Sequence, residues 1–224
     1  ALAEFMKTGW APTPLEGIVL SEAIPFCKAR IAKLSAKYPG KRIVLPAGGL
    51  KVRSSDTDYR FRAHSGFSYF TGITAGDAVP DSVFILEPNE SGHEALLFIH
   101  PRSPRDSSEF YRDAKYGEFW VGRRMTLEET ERKYGLAVRQ IEDLENFLSG
   151  SKSALIVRGE NPIVDSKVPA DADGEAEFLT FLSEIRLVKD SYEIAELQKA
   201  VDATNRGFAD MVRVFGAATS TKRG

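Results

Sequence analysis

The three histidines are the first candidates for metal chemistry, because imidazole and carboxylate groups bind divalent ions when several converge from different elements. His93 and His100 flank the apolar run ALLFI seven positions apart, so on one continuous strand they would point to opposite faces. His64 stands among arginines and small residues. We therefore interpret each histidine as a surface or structural group, and we predict no metal ligand and no catalytic residue in this chain.

Signals for nucleophilic catalysis and phosphate binding are equally weak. Cys27 lies in a helical pattern with Lys28 and Arg30, which we expect on the solvated side of the helix, so a buried helix residue is favoured over a reactive thiolate. The G-x-S-x-G elbow of serine hydrolases does not occur in the sequence. Residues 46–49 (PAGG) lack the Lys-Ser/Thr ending of a phosphate loop, and charged, strand-like sequence follows them.

Composition and charge exclude several classes of partner. The chain has 224 residues and a formal net charge of -2, so it lacks the positive field that holds nucleic acid or an anionic membrane. A single cysteine excludes an internal disulfide framework and suits a reducing compartment. No apolar run approaches the roughly 18 residues that span a bilayer, and residues 1–12 lack the features of a signal peptide. We therefore expect a cytoplasmic protein.

The elements that would position any site alternate between strands and helices. Four short apolar runs predict strands covered on both faces: Lys41–Leu45, Ser82–Leu86, Ala95–Ile99 and Ala154–Arg158. Between them, Ser21 is predicted to cap a helix that ends at residues 39–40, and Thr126 with Glu129 forms a capping box for a helix that ends at Gly135. Ile141, Leu144 and Leu148 share one face of a further helix. This alternation predicts an α/β fold.

The pattern changes after Pro169. Residues 170–175 (ADADGE) are predicted to be a connection, and Asp190 with Glu193 forms a second capping box. The helix that follows carries an apolar stripe of Ile194, Leu197, Val201, Phe208, Met211 and Phe215. No later element in the chain would cover this stripe, so we expect the helix to begin a second domain whose remainder is absent.

Residues 53–72, RSSDTDYRFRAHSGFSYFTG, are the densest cluster of charged and aromatic side chains. Their loose alternation predicts a strand over residues 59–70, with Tyr59, Phe61, Phe67 and Tyr69 on a sheet face and a turn at Gly72. The same stretch, read as R-S-x-D-x-x-Y-x-x-R-x-x-S-x-F-x-Y-F-T-G, resembles the N-terminal domain of Xaa-Pro aminopeptidases.

Two further stretches resemble the same family in order and spacing. Residues 118–124 (EFWVGRR) are similar to its W-x-G-R-R segment, and residues 186–194 (RLVKDSYEI) are similar to the R-L-x-K-x-x-x-E-I segment that opens its second domain. The resemblance implies a mixed β-sheet flanked by helices, of the creatinase and aminopeptidase P N-terminal type, in residues 1–174. It also implies a linker helix in residues 175–189 and the first helix of a truncated pita-bread metallopeptidase domain in residues 190–224.

The resemblance also implies a function. Family members remove the N-terminal residue from peptides with proline at the second position, and two Asp, one His and two Glu of their second domain hold two divalent metal ions, usually Mn²⁺. All five ligands would lie beyond Gly224, so this chain alone is expected to be inactive and free of metal.

One residue of this chain receives a site role from the resemblance. Trp120 occupies the position of the tryptophan in W-x-G-R-R, which in the family reaches the substrate of a neighbouring subunit in a dimer or tetramer. An indole is large, rigid and able to stack on a proline ring. The alternative role is a core or surface aromatic. Two alternative functions stay open: a non-catalytic peptide-binding or scaffold relative of the pita-bread family, and a prolidase or creatinase-like hydrolase.

Overall fold

The computed structural model describes residues 2–74, 76–150 and 154–215. Within these ranges the strands are β1 (Arg42–Pro46), β2 (Val52–Ser54), β3 (Thr57–Asp58), β4 (Val83–Asn89), β5 (Gly92–Ile99), β6 (Ala137–Gln140) and β7 (Ala154–Ile156). The α-helices are α1 (Leu2–Met6), α2 (Ile24–Lys37), α3 (Ser65–Thr71), α4 (Glu109–Arg112), α5 (Glu118–Val121), α6 (Leu127–Tyr134), α7 (Leu144–Leu148), α8 (Pro162–Lys167), α9 (Ala172–Glu184) and α10 (Ser191–Phe215). A 3-10 helix, Ile141–Asp143, precedes α7.

A five-stranded mixed sheet has the spatial order β6-β5-β4-β1-β7. Strand β1 pairs antiparallel with β4 and parallel with β7, while β5 pairs antiparallel with β4 and parallel with β6. The carboxyl ends of β1, β5, β6 and β7 therefore meet the amino end of β4 at one edge of the sheet. Asp81, His100 and Ile141 follow or precede strands at this edge.

Both faces of the sheet are covered, as the continuous apolar runs predicted. Alternate residues such as Val44 and Ile85 pack in a core with Leu144 and Leu148 of α7 and Val164 of α8. Helices α2 and α3 pack against the strands and against each other. The predicted mixed sheet flanked by helices is thus confirmed, and β1, β4, β5 and β7 lie where their sequences indicated.

The strand predicted over residues 59–70 is wrong, because Ser65–Thr71 forms helix α3. The His64 ring accepts a hydrogen bond from the Gly66 N–H and caps the start of the helix, and Gly72 ends it with a φ of 73°. Phe67 and Phe70 lie three residues apart and therefore share the buried face of the helix. The aromatic spacing is helical here, and Tyr59, which was expected to pack on a sheet face, is exposed.

Helix α2 differs from its prediction at two positions. Ala23 is the N-cap residue, and the Ser21 hydroxyl instead accepts a hydrogen bond from the Ala23 N–H. Arg30 was expected in solvent but is only 5% exposed. Its guanidinium donates to the Tyr69 carbonyl at 2.7 Å and lies over the Tyr69 ring at 4.2 Å. Tyr69 of α3 therefore stabilises the buried positive charge of Arg30. Cys27 is buried, as predicted.

The connection predicted for residues 170–175 is wrong from Ala172 onwards, where α9 begins. Asp171 starts this helix, because its carboxylate accepts a hydrogen bond from the Gly174 N–H, and Glu175 of the first turn pairs with Arg158. The polar composition therefore belongs to a helix start and an ion pair rather than to a loop.

The described residues fall into two compact units, one ending at Ser183 and the other starting at Glu184. In the second unit the predicted capping box is present, because Asp190 and Glu193 each accept a hydrogen bond from the backbone N–H of the other. Helix α10 follows, and its apolar stripe is exposed. Among the described residues, no helix combines the length and the apolar character needed to cross a membrane.

Candidate functional site around Trp120

Trp120 lies on the short helix α5, and its side chain is 62% exposed. The indole N–H donates to the carbonyl oxygen of Tyr111 at 2.8 Å, and Phe119 packs edge-on against the ring at 5.9 Å. The indole is therefore held at one edge while its face remains open. Trp120 therefore occupies a surface position and is not a core residue of this domain.

Gly117 brings α5 close to α4. A Cβ atom at this glycine would lie 2.3 Å from the carbonyl oxygen of Asp113 and 2.6 Å from that of Glu109, distances at which backbone atoms would have to move. The close approach places the N–H of Trp120 within reach of Tyr111. The backbone geometry thus requires a glycine three residues before Trp120.

A mostly buried carboxylate stabilises residues 117–124, called here the Trp120 turn. Glu118, whose side chain is 9% exposed, accepts hydrogen bonds from Arg102 Nε at 2.6 Å and from Arg105 Nη2 at 2.8 Å. Burial by itself would raise the pKa of Glu118, but the hydrogen bonds and charges of the two arginines outweigh burial and hold the pKa below its ordinary value. Glu118 is therefore a fixed anion two positions before Trp120.

The two arginines of W-x-G-R-R are structural. Arg123 makes a two-pronged ion pair with Glu129, at 2.6 and 3.0 Å, and Glu129 also closes the predicted capping box of α6 by accepting from the Thr126 N–H. Arg124 donates to the carbonyls of His100, Pro101 and Tyr116. Because these donors are committed to the protein, the arginines hold the turn rather than present charge to a ligand.

The histidines occupy separate, satisfied positions. His100 contacts Glu109 through Nε2 at 3.0 Å and Glu142 through Nδ1 at 3.4 Å, and its ring stacks on Tyr116 at 4.1 Å. His93 instead bonds to the Ser35 hydroxyl and the Lys41 carbonyl. In the part of the chain that the structure describes, no group of three or more His, Cys, Asp or Glu side chains could hold a metal ion. The described residues therefore do not fit a two-metal centre.

A cavity of about 360 Å³ adjoins the turn. The residues that line this cavity include Val121, Arg123 and Arg124, together with Arg60 and Phe61. Two of the sequence stretches singled out above, residues 53–72 and 118–124, therefore meet in space. The supporting residues Arg102, Arg105 and Glu118 were missed by sequence analysis, because their pairing depends on contacts between separate elements.

A mixed sheet with helices on both faces, carrying the W-x-G-R-R turn, defines the first unit as an α/β domain of the creatinase and aminopeptidase P N-terminal type. Residues 27–156 match the family model described as "Aminopeptidase P, N-terminal domain". The chain belongs to this family.

Relatives and solved structures agree with this assignment. The chain is 43% identical over 225 residues to Xaa-Pro aminopeptidase 1 of Streptomyces coelicolor. This match covers 98% of the chain and 44% of the relative. Proline aminopeptidase P II from Yersinia pestis matches with a TM-score of 0.59 and 25% identity over 78% of this chain and 41% of its own. Two Escherichia coli aminopeptidase P structures, one zinc-substituted with product and one with the inhibitor Pro-Leu, each match with a TM-score of 0.57, 23% identity and the same coverages. The chain spans less than half the length of these relatives.

Proposed function

We propose that this chain is the N-terminal part of an Xaa-Pro aminopeptidase, a metallopeptidase that removes the N-terminal residue from peptides with proline at the second position. The observation that carries the proposal is the exposed indole of Trp120, held by Tyr111 within a domain of this family. The relative from Streptomyces coelicolor, named Xaa-Pro aminopeptidase 1, supports the substrate class.

In this proposal, residues 1–174 form the N-terminal α/β domain, residues 175–189 a linker helix and residues 190–224 the beginning of the pita-bread domain. The exposed apolar stripe of α10 supports the last assignment, since a domain core would cover such a stripe. Two divalent metal ions, expected to be Mn²⁺, would be bound by residues outside those described here.

The chain's own contribution is to shape the substrate site. The indole N–H of Trp120 already donates to the Tyr111 carbonyl, so the indole would contact substrate through its π face. Stacking on a proline ring needs no hydrogen-bond donor. Proline lacks a backbone N–H, so its ring is selected by shape rather than by hydrogen bonding. We propose that Trp120 acts in trans, on the substrate of a neighbouring subunit in a cytoplasmic dimer or tetramer.

An assay with matched peptides tests the proposal. The intact protein containing this chain is incubated with Mn²⁺ and a tripeptide with proline second, and release of the N-terminal residue is compared with that from the same tripeptide carrying alanine. We expect cleavage of the proline peptide only. Peptide binding without turnover would point to a non-catalytic relative. Cleavage of an Xaa-Pro dipeptide assayed in parallel, without cleavage of the tripeptide, would point to a prolidase. The 224-residue chain alone is expected to give no turnover above a metal-only blank.

A further inference from the structure

Residues 10–15 (WAPTPL), called here the N-terminal arm, lie against the Trp120 turn although more than a hundred positions separate them. Trp10 packs edge-on against Phe110 at 4.9 Å and against Phe119 at 5.7 Å. Phe119 in turn packs edge-on against Trp120. The three rings Trp10, Phe119 and Trp120 form one continuous series at the surface.

Thr13 fastens the arm to the charges beneath the turn. Its hydroxyl accepts hydrogen bonds from Arg102 Nη2 at 2.6 Å and Arg105 Nη2 at 2.5 Å and donates to Glu118 Oε1 at 3.3 Å. Its carbonyl accepts from Arg123 Nε at 2.6 Å. A hydroxyl has one donor and two acceptor sites, and all three are used here. The arm is thereby linked to both sides of the W-x-G-R-R segment.

The sequence of the arm suits docking in an extended form. Pro12 and Pro14 flank Thr13, and each proline fixes its own φ and biases the residue before it towards extended conformations. Fewer conformations are lost when such a segment binds. The arm precedes residues 27–156, the part of the chain that matches the family model.

Helix α5 depends on such support, because four residues are far too few for an isolated helix to be stable in water. We propose that the N-terminal arm is a positioning element for Trp120: Thr13 and Trp10 hold α5 and thereby set the orientation of the indole. The inference rests on the proposed function for its catalytic consequence. The structural part of the inference, that the arm immobilises Trp120, rests only on the contacts that Trp10 and Thr13 make with the turn.

Fluorescence tests the structural content directly. Trp10 and Trp120 are the two tryptophans of the sequence, so Trp10→Phe leaves Trp120 as the only indole emitter in this chain. In that background, Thr13→Val removes the hydroxyl at similar volume, whereas Thr13→Ser keeps it. We expect Thr13→Val to lower the fluorescence anisotropy of Trp120 and raise its quenching by acrylamide, with Thr13→Ser unchanged. Val19→Ala, at an exposed position beyond the arm, controls for nonspecific effects. Equal anisotropy and quenching in the Val and Ser variants would overturn the inference.

Kinetics of the intact enzyme test the consequence. Thr13→Val is expected to raise KM several-fold for an Xaa-Pro tripeptide at an unchanged melting temperature, and Thr13→Ser to behave as the parent protein. A lower melting temperature with unchanged specific activity would reduce the arm to a structural role and contradict the proposal. If Trp120→Ala leaves the kinetics unchanged, the proposed function of Trp120 fails. If Trp120→Ala impairs hydrolysis while Thr13→Val alters neither fluorescence nor KM, only the inference on the arm fails.

Discussion

The indole N–H of Trp120 donates to the carbonyl oxygen of Tyr111 across 2.8 Å while most of the ring remains in solvent. One hydrogen bond thus orients a large aromatic surface that contributes little to the core. Trp120 lies between two other exposed apolar residues, Phe119 and Val121. Contiguous exposed apolar surface of this kind is typical of interaction sites.

Replacing this side chain should separate binding from folding. If Trp120 has the proposed role, Trp120→Ala in the intact protein is expected to lower kcat/KM roughly 5- to 150-fold, which corresponds to about 1–3 kcal/mol. The loss should appear mainly in KM, because the proposed stacking would be shared by substrate and transition state. The melting temperature should change little, since the ring is exposed. Phe5→Ala removes another exposed aromatic and serves as the control. A sharp fall in melting temperature with full specific activity would show that Trp120 is structural.

Arg30 should be important for stability. Arg30→Leu leaves the Tyr69 carbonyl without its 2.7 Å donor and removes the cation from the Tyr69 ring, so we expect a loss of about 2–3 kcal/mol in the free energy of unfolding. Lys28→Ala, at an exposed position of the same helix, should change it by less than about 0.5 kcal/mol. Urea denaturation of the three proteins measures both effects. Equal stabilities would refute the assigned role of Arg30.

Gly72 tests the close packing at the end of α3. Gly72→Ala would place a Cβ atom 2.9 Å from Ala23 Cβ and 3.2 Å from Cys27 Sγ at a φ of 73°. Gly40→Ala has a similar φ of 70° but meets nothing within 4 Å. Both variants lose about 1–2 kcal/mol from the left-handed backbone conformation. The Gly72 variant should lose more, because the neighbouring side chains must also shift, and equal denaturation midpoints would contradict this reading of the contact.

The carboxylates around the turn predict a loss of stability in acid. The pKa values of Glu109, Glu118 and Glu129 are held below their ordinary value of 4.5. Each lowered folded pKa means that the unfolded state binds more protons as the pH falls. The stabilisation is therefore complete above about pH 4.5 and is lost as the pH falls through the lower folded values.

Urea denaturation at a series of pH values measures this dependence. Glu118→Gln removes one titrating group, so stability should fall less steeply with acid than in the parent chain. Glu16→Gln, the same change at an exposed position, is the matched control. Identical slopes in the parent chain and the Glu118→Gln variant would exclude Glu118 as a contributor.

The exposed stripe of α10 predicts self-association of the 224-residue chain. Each residue of the set Ile194, Leu197, Val201, Phe208 and Met211 is more than half exposed. Contiguous apolar surface of this kind favours association. Sedimentation should show a mass that rises with concentration, and the double variant Leu197→Lys, Met211→Lys should reduce that rise. A concentration-independent mass for the parent chain would count against the prediction.

Local sequence patterns were sufficient for the elements whose signals lie within a few residues. The apolar runs of β1, β4, β5 and β7 and the capping boxes at Thr126 and Asp190 are of this kind. Strand β6 (AVRQ) was not predicted, because only Val138 is buried there and the strand exists by pairing with β5. The alternation in residues 59–70 was ambiguous, because aromatic residues suit a strand or a helix until their neighbours are known.

By itself the sequence determined the α/β class, the family and the position of Trp120 through its motif. Tertiary structure alone decided that Arg30 is buried, that Trp120 is exposed yet oriented by Tyr111, and that Thr13 lies among three arginines. Strand and helix signals arise from chemistry repeated along a short segment. The environment of a charged or aromatic side chain instead depends on partners that folding brings from distant positions, and no local pattern records them.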